Sequence, residues 1–138
     1  MQQSDYLLRQ IEQLGRVLGK ILARLLGLKE EGKAHQGMAC TTELFRDELE
    51  LDLRELISVP EEEFIQTLSD LPHWNNNHLS TFADILLELA EGLEMEGENE
   101  LGTDLYKRVL LIFGYLDEKG AVFSLDSYYK KERILNRV

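Results

Sequence analysis

The sequence predicts an all-α protein, and three observations carry that expectation. Apolar residues recur at helical spacing over long stretches, glycines, prolines and asparagines punctuate the boundaries, and no stretch alternates with period two for long enough to propose a sheet. The expected architecture is a single domain over residues 1–138, five or six helices packed as antiparallel hairpins or an irregular bundle, led by a long amphipathic helix. A chain of 138 residues buries roughly two-thirds of its unfolded surface and needs neither disulfide nor metal to fold.

The leading helix is read over residues 4–29. Leu7, Ile11, Leu14, Leu18, Ile21, Leu25 and Leu28 alternate spacings of four and three, the period of one buried seam. Leu8, Val17, Leu22 and Leu26 widen that arc, while Arg9, Glu12, Gln13, Arg16, Lys20 and Arg24 gather opposite. Such a face requires a cover. Packing on the rest of the chain and self-association through Leu7, Ile11, Leu14, Leu18, Ile21 and Leu25, giving a homodimer, both supply one. The basic side and the small row Gly15, Gly19, Ala23 leave an anionic membrane surface as a further reading, but the face lacks Trp and Phe and resembles a core more than an interfacial anchor, so membrane binding is disfavoured.

Gly27 and Glu30-Glu31-Gly32 are expected to stop this helix, with residues 32–42 a loop or frayed turn. Thr41 or Thr42 is the expected cap of a helix through about Glu50 that turns Leu44, Phe45 and Leu49 inward. Asp52 with Glu55, and Ser58 with Glu61, repeat a capping-box spacing for two short helices, the second holding Pro60 in its first turn and ending at Leu71-Pro72. His73 to His78 has no apolar period and is read as a loop, with Asn76 or Asn77 capping the next helix. A hairpin over residues 79–118 follows. Its first helix carries Leu79, Phe82, Leu86, Leu89 and Leu93, Gly97 turns the chain, and the second carries Leu101, Leu105, Val109, Ile112 and Leu116. Gly120 closes it, and Ser124 is the expected cap of a last helix whose Lys130, Lys131, Arg133 and Arg137 suit a helix C-terminus.

Charge and residue chemistry exclude more than they assign. The net charge of -11 is concentrated in residues 36–100, which hold 17 acidic against 2 basic residues, while residues 1–35 and 101–138 each carry +2. That middle repels phosphate backbones, which disfavours nucleic acid and favours basic partners. Cys40 is the single cysteine, there is no glycosylation sequon or leader pattern, and the longest apolar run is Val109 to Phe113, so a cytoplasmic chain without a membrane span is expected. His73 and His78 stand five apart, off the spacing that sets two metal ligands on one helix face, and no phosphate-binding loop, calcium loop or nucleophile signature is present. No catalytic residue, cofactor or metal is assigned. The loop carrying His73, Trp74 and His78 is the candidate ligand pocket, set against a plainer reading in which Trp74 plugs the core and the asparagines turn the chain.

Residues Ala83 to Leu116 resemble a tetratricopeptide-repeat unit. With Ala83 at the first position, Leu86, Leu89, Ala90, Leu93, Gly97, Gly102, Tyr106 and Val109 fall on the patterned ones. Val109 replaces the usual alanine, Gly114 stands where proline ends the unit, and no second copy occurs at a 34-residue offset, which leaves generic hairpin packing as the alternative. The resemblance implies a groove face of Asp84, Leu87, Glu91, Glu94 and Met95, acidic with an apolar centre and suited to a basic amphipathic segment. The opening residues 5–18 also resemble a group of small bacterial helical proteins known only as a domain of unknown function, which implies a bacterial origin and no activity. The expected role is a non-enzymatic protein-interaction or self-association module; a small-molecule-binding protein or enzyme is the alternative.

Overall fold

A computed structural model describes residues 2–120 and 125–136, and within them the chain is helical throughout. The helices are α1 (Gln2–Glu30), α2 (Gly37–Leu49), α3 (Leu53–Leu56), α4 (Glu61–Ser69), α5 (Asn76–Met95), α6 (Asn99–Glu118) and α7 (Leu125–Leu135), with a 3-10 turn at Ala34–Gln36. The expected all-α class with a long first helix is what forms.

The centre of the molecule is the α5–α6 hairpin. Phe82, Ala83, Ile85, Leu86 and Ala90 of α5 and Leu105, Val109 and Ile112 of α6 are completely buried. Its tight turn is closed by Glu98 N–H donating to the Leu93 carbonyl at 2.9 Å and Gly97 N–H to that of Glu94 at 3.1 Å, with Gly97 at φ 83°. That left-handed residue is why a glycine stands there. The two helices cross closely at Gly102, where an added Cβ would lie 3.3 Å from the Ala90 carbonyl oxygen. Tyr106, 2% exposed, braces the crossing by donating its hydroxyl to the Glu94 carboxylate at 2.9 Å.

The other elements wrap this hairpin. α1 lies along α5 and carries α2 on its flank, while α4 packs on α6. Arg108, 4% exposed, joins that last pair: its Nε donates to Asp104 at 2.9 Å and its guanidinium stacks 4.9 Å above the Phe64 ring.

Several boundaries differ from the sequence reading, each for a local reason. α1 passes through Gly27 and stops at Gly32, whose φ of 73° lets Lys33 N–H reach back to the Leu28 carbonyl at 2.7 Å. α2 begins at Gly37, not at Thr41 or Thr42, because the 3-10 turn feeds directly into it. Gly37 is buried against α1, where a Cβ would stand 3.1 Å from Leu25 Cδ2. Thr41 and Thr42 are therefore interior, and Thr42 Oγ1 donates to the Met38 carbonyl at 2.7 Å. Asp52 caps α3 as expected, accepting from Glu55 N–H at 3.2 Å. Ser58 does not cap α4: its hydroxyl donates back to the Arg54 carbonyl at 2.5 Å, and Pro60 takes the N-cap position. Asn75, and neither Asn76 nor Asn77, caps α5. The expected cap Ser124 and the basic Arg137 lie outside the described residues.

Glycines at different places in α6 should respond oppositely to substitution. Gly114 is exposed with nothing within 4 Å of an added Cβ, so Gly114→Ala is expected to raise stability by about 0.5–1 kcal/mol through reduced unfolded-state entropy. Gly102→Val places branched atoms against the Ala90 backbone and is expected to cost about 1–3 kcal/mol. Urea unfolding of the two variants checks both signs.

Candidate functional site

The loop between α4 and α5 joins α1 through one buried ring. His78 is 4% exposed and sits in the first turn of α5. Its Nδ1 accepts from the Asn75 N–H at 2.9 Å while Asn75 Oδ1 accepts from the His78 N–H at 3.0 Å, a reciprocal capping box in which histidine takes the place of the usual glutamate. Its other nitrogen, Nε2, stands 2.9 Å from the Ile11 carbonyl of α1. With Nδ1 accepting, Nε2 carries the hydrogen and donates to that carbonyl. Trp74 packs edge-on to Phe82 with centroids 5.5 Å apart, and to His78 at 6.3 Å. Both ring nitrogens of His78 are committed to backbone groups, so of the three expected pocket residues it is the one not presented to a ligand.

Beside this junction lies an open groove of about 720 Å³. One wall is α1, with Tyr6, Arg9, Gln10, Gln13, Leu14 and Val17; the corner Glu48–Leu51 forms the second and the loop Leu71–Trp74 the third. Tyr6 and Trp74 thus face one cleft. Among the described residues only two non-glycine positions have left-handed backbone, Glu50 at φ 56° and His73 at φ 69°, and both lie on its rim. At Glu50 the conformation closes α2, with Leu51 N–H donating to the Phe45 carbonyl at 3.1 Å. Strained backbone of this kind concentrates at functional sites, since the surroundings must compensate for its cost. Charge on the rim is mixed. Glu48 is 3.8 Å from Lys20, while Arg9 has no ion-pair partner among the described residues.

The seam on α1 divides at this groove. Leu18, Ile21 and Leu25 are buried in the protein's own core, and Ile11 and Leu14 are half-buried. Tyr6, Leu7 and Leu8 are 60%, 44% and 56% exposed. Of the six positions expected to mediate self-association, three are consumed by internal packing, and Leu7 with its exposed neighbours remains outside.

The acidic face of α5 is engaged within the chain. Asp84 receives Lys130 Nζ at 2.7 Å, Glu91 lies between Lys29 at 3.4 Å and the Arg133 guanidinium, and Leu87 is buried. Glu94 accepts from Tyr106, and Met95 is 75% exposed. Lys130 and Arg133, expected to serve the end of their own helix, bind α5 instead. Lys130 and Arg133 stand three apart and so share one face of their helix, and that shared face was the signal that could have found this.

Cys40 is half-buried beside a second groove, between α1 and α2. Among the described residues no group of three His, Cys, Asp or Glu side chains is placed to hold a metal ion, and no described helix is long and apolar enough to cross a membrane. No family model matches the chain, and no curated protein or solved structure matches it.

Replacing His78 with Ala removes the ring's half of the capping box, the acceptor for the Asn75 N–H, together with the ring's hydrogen bond to the Ile11 carbonyl, while the Asn75 side-chain cap on the backbone N–H of residue 78 remains. The expected loss is about 2–3 kcal/mol of stability, measured by urea unfolding followed through Trp74, the single tryptophan. His78→Gln, which keeps a donor of similar reach, is expected to lose less.

Proposed function

We propose that this chain is a non-enzymatic interaction module that associates with a second copy of itself through the first turns of α1 and the groove beside them. The observation that carries this reading is the continuous exposure of Tyr6, Leu7 and Leu8 on a helix whose following turns are buried. Exposed apolar residues so grouped, adjoining a groove whose lining mixes apolar residues such as Leu14, Leu51 and Trp74 with polar ones, make a surface that a partner stabilises by removing it from water. The charges on the rim suit a two-fold pairing. Arg9 and Glu50 lie on different walls of the groove within each chain, so a two-fold pairing that brings the two grooves together has opposite signs available on both copies. A basic, apolar segment from a different protein meets the same chemistry, and the acidic middle of the sequence favours partners of that sign.

A second reading rests on the dimensions of the groove. About 720 Å³ with an aromatic side chain on two walls falls within the range of small-molecule sites. A ligand held there at a hundred times its dissociation constant adds about 2.7 kcal/mol of stability. A panel of planar metabolites is expected to raise the melting temperature by about 5 °C or more if this reading holds, and no shift from any member removes it.

Self-association is tested by light scattering behind a sizing column. The full chain is expected to elute as a dimer, and Leu8→Glu as a folded monomer, because Leu8 is more than half exposed and its replacement leaves the core untouched. A monomeric full chain at all concentrations overturns the self-association reading. Deletion of residues 1–10 serves as the second variant, since it spares the buried part of α1 beginning at Val17.

A further inference from the structure

We propose that the groove between α1, the Glu48–Leu51 corner and the Leu71–Trp74 loop binds a planar aromatic monocarboxylate, with its carboxylate on Arg9 and Gln13 and its ring against Trp74, an assignment that rests on the small-molecule reading of that groove and gives the ligand a chemical class.

The donors come from one side of α1. Arg9 and Gln13 stand four residues apart, so their side chains leave the same face of the helix, and both line the groove. Tyr6 and Gln10 make a neighbouring row and are committed to each other, the Gln10 amide donating to the Tyr6 hydroxyl at 2.7 Å. Neither Arg9 nor Gln13 has a hydrogen-bond or ion-pair partner among the described residues. A guanidinium and a side-chain amide one helical turn apart offer planar donors to the two oxygens of a carboxylate.

The sign of the ligand follows from the charges already answered. Glu48 stands 3.8 Å from Lys20, which does not line the groove. Arg9 is the single lysine or arginine among the lining residues, and a ligand carboxylate supplies the counter-ion it lacks within the described chain. Glu50, on the corner wall, has no cation within ion-pair distance among the described residues, so a second acid at the far end of a ligand meets a like charge. One carboxylate therefore fits and two do not.

The loop wall supplies the flat surface. Trp74 is held from the protein side by Phe82 and His78, with centroids 5.5 Å and 6.3 Å away and rings steeply inclined to its own. It is nevertheless only partly buried, and the remainder of the indole faces the cleft it lines. A ring already fixed by its neighbours loses little freedom when a second ring packs on it, which favours an aromatic body over a flexible one.

The probes are trans-cinnamate and cinnamamide, which share a shape and differ in charge. Trp74 is the single tryptophan, so its indole N–H gives one peak in a proton–nitrogen correlation spectrum, and titration of that peak reports binding at this wall. The full chain and Leu8→Glu are both titrated, so that a second copy lying over the groove does not hide the site. Cinnamate is expected to shift the peak saturably and to bind about five-fold or more tightly than the amide. Arg9→Gln, which alters an exposed side chain and spares the core, is expected to bring the acid down to the affinity of the amide and to leave the amide unchanged. Equal binding of acid and amide, or an acid preference indifferent to Arg9→Gln, overturns the carboxylate assignment and leaves the small-molecule reading standing. A peak that neither compound moves in either chain overturns both.

Discussion

The long first helix must bury its apolar seam, and it does so chiefly against α5, the first arm of the hairpin, with α2 on its flank. That burial is fixed in register at one point, the contact between His78 Nε2 and the Ile11 carbonyl at 2.9 Å. A single ring completes the α5 capping box with Asn75 and holds α1, so the start of the hairpin and the first helix cannot move apart without leaving buried polar groups unpaired. The junction is close enough that a Cβ added at Gly15 would be in ordinary van der Waals contact with the histidine ring at 3.5 Å. Downstream of the junction α1 is core. Upstream it projects, and Tyr6, Leu7 and Leu8 are exposed in consequence.

The same hairpin is used electrostatically on its other side. The strongly acidic middle of the chain carries Asp84, Glu88 and Glu91 along α5, and the cations that meet them come from the two ends, Lys29 of α1 and Lys130 and Arg133 of α7. The division of the sequence into a negative centre and weakly positive flanks is in part a division into a face and its covers. The carboxylates in these pairs are partly buried, with Glu88 and Glu91 each 17% exposed. The effect of the pairs is on which segment lies where.

The fold was legible where apolar periodicity was long. The seam from Leu7 to Leu28 and the two arms of the hairpin stand out because helices that pack on one side repeat their large side chains every three or four residues, and Gly97 marks the turn because only glycine accepts its backbone without strain. Boundaries were harder wherever polar residues had two uses. Thr41, Thr42 and Ser58 are good caps in isolation, yet Thr42 and Ser58 bond back to carbonyls four residues earlier, and the start of α2 was decided by close packing of Gly37 against Leu25. Of the groove, the sequence pointed to His73 and Trp74. It did not point to the corner at Glu48–Leu51, because a wall contributed by a distant turn leaves no local pattern. Nor could it show that only half of the α1 seam would be covered, which depends on where His78 pins the helix.

Self-association through the projecting end of α1 is tested most directly by hydrogen exchange as a function of protein concentration. The expected result is that amides of residues 4–11 gain protection as concentration rises, together with those of the Leu71–Trp74 loop, while amides of the buried part of α1 from Val17 onward stay unchanged. Protection of residues 4–11 that is the same at every concentration would contradict the association of two copies at this surface.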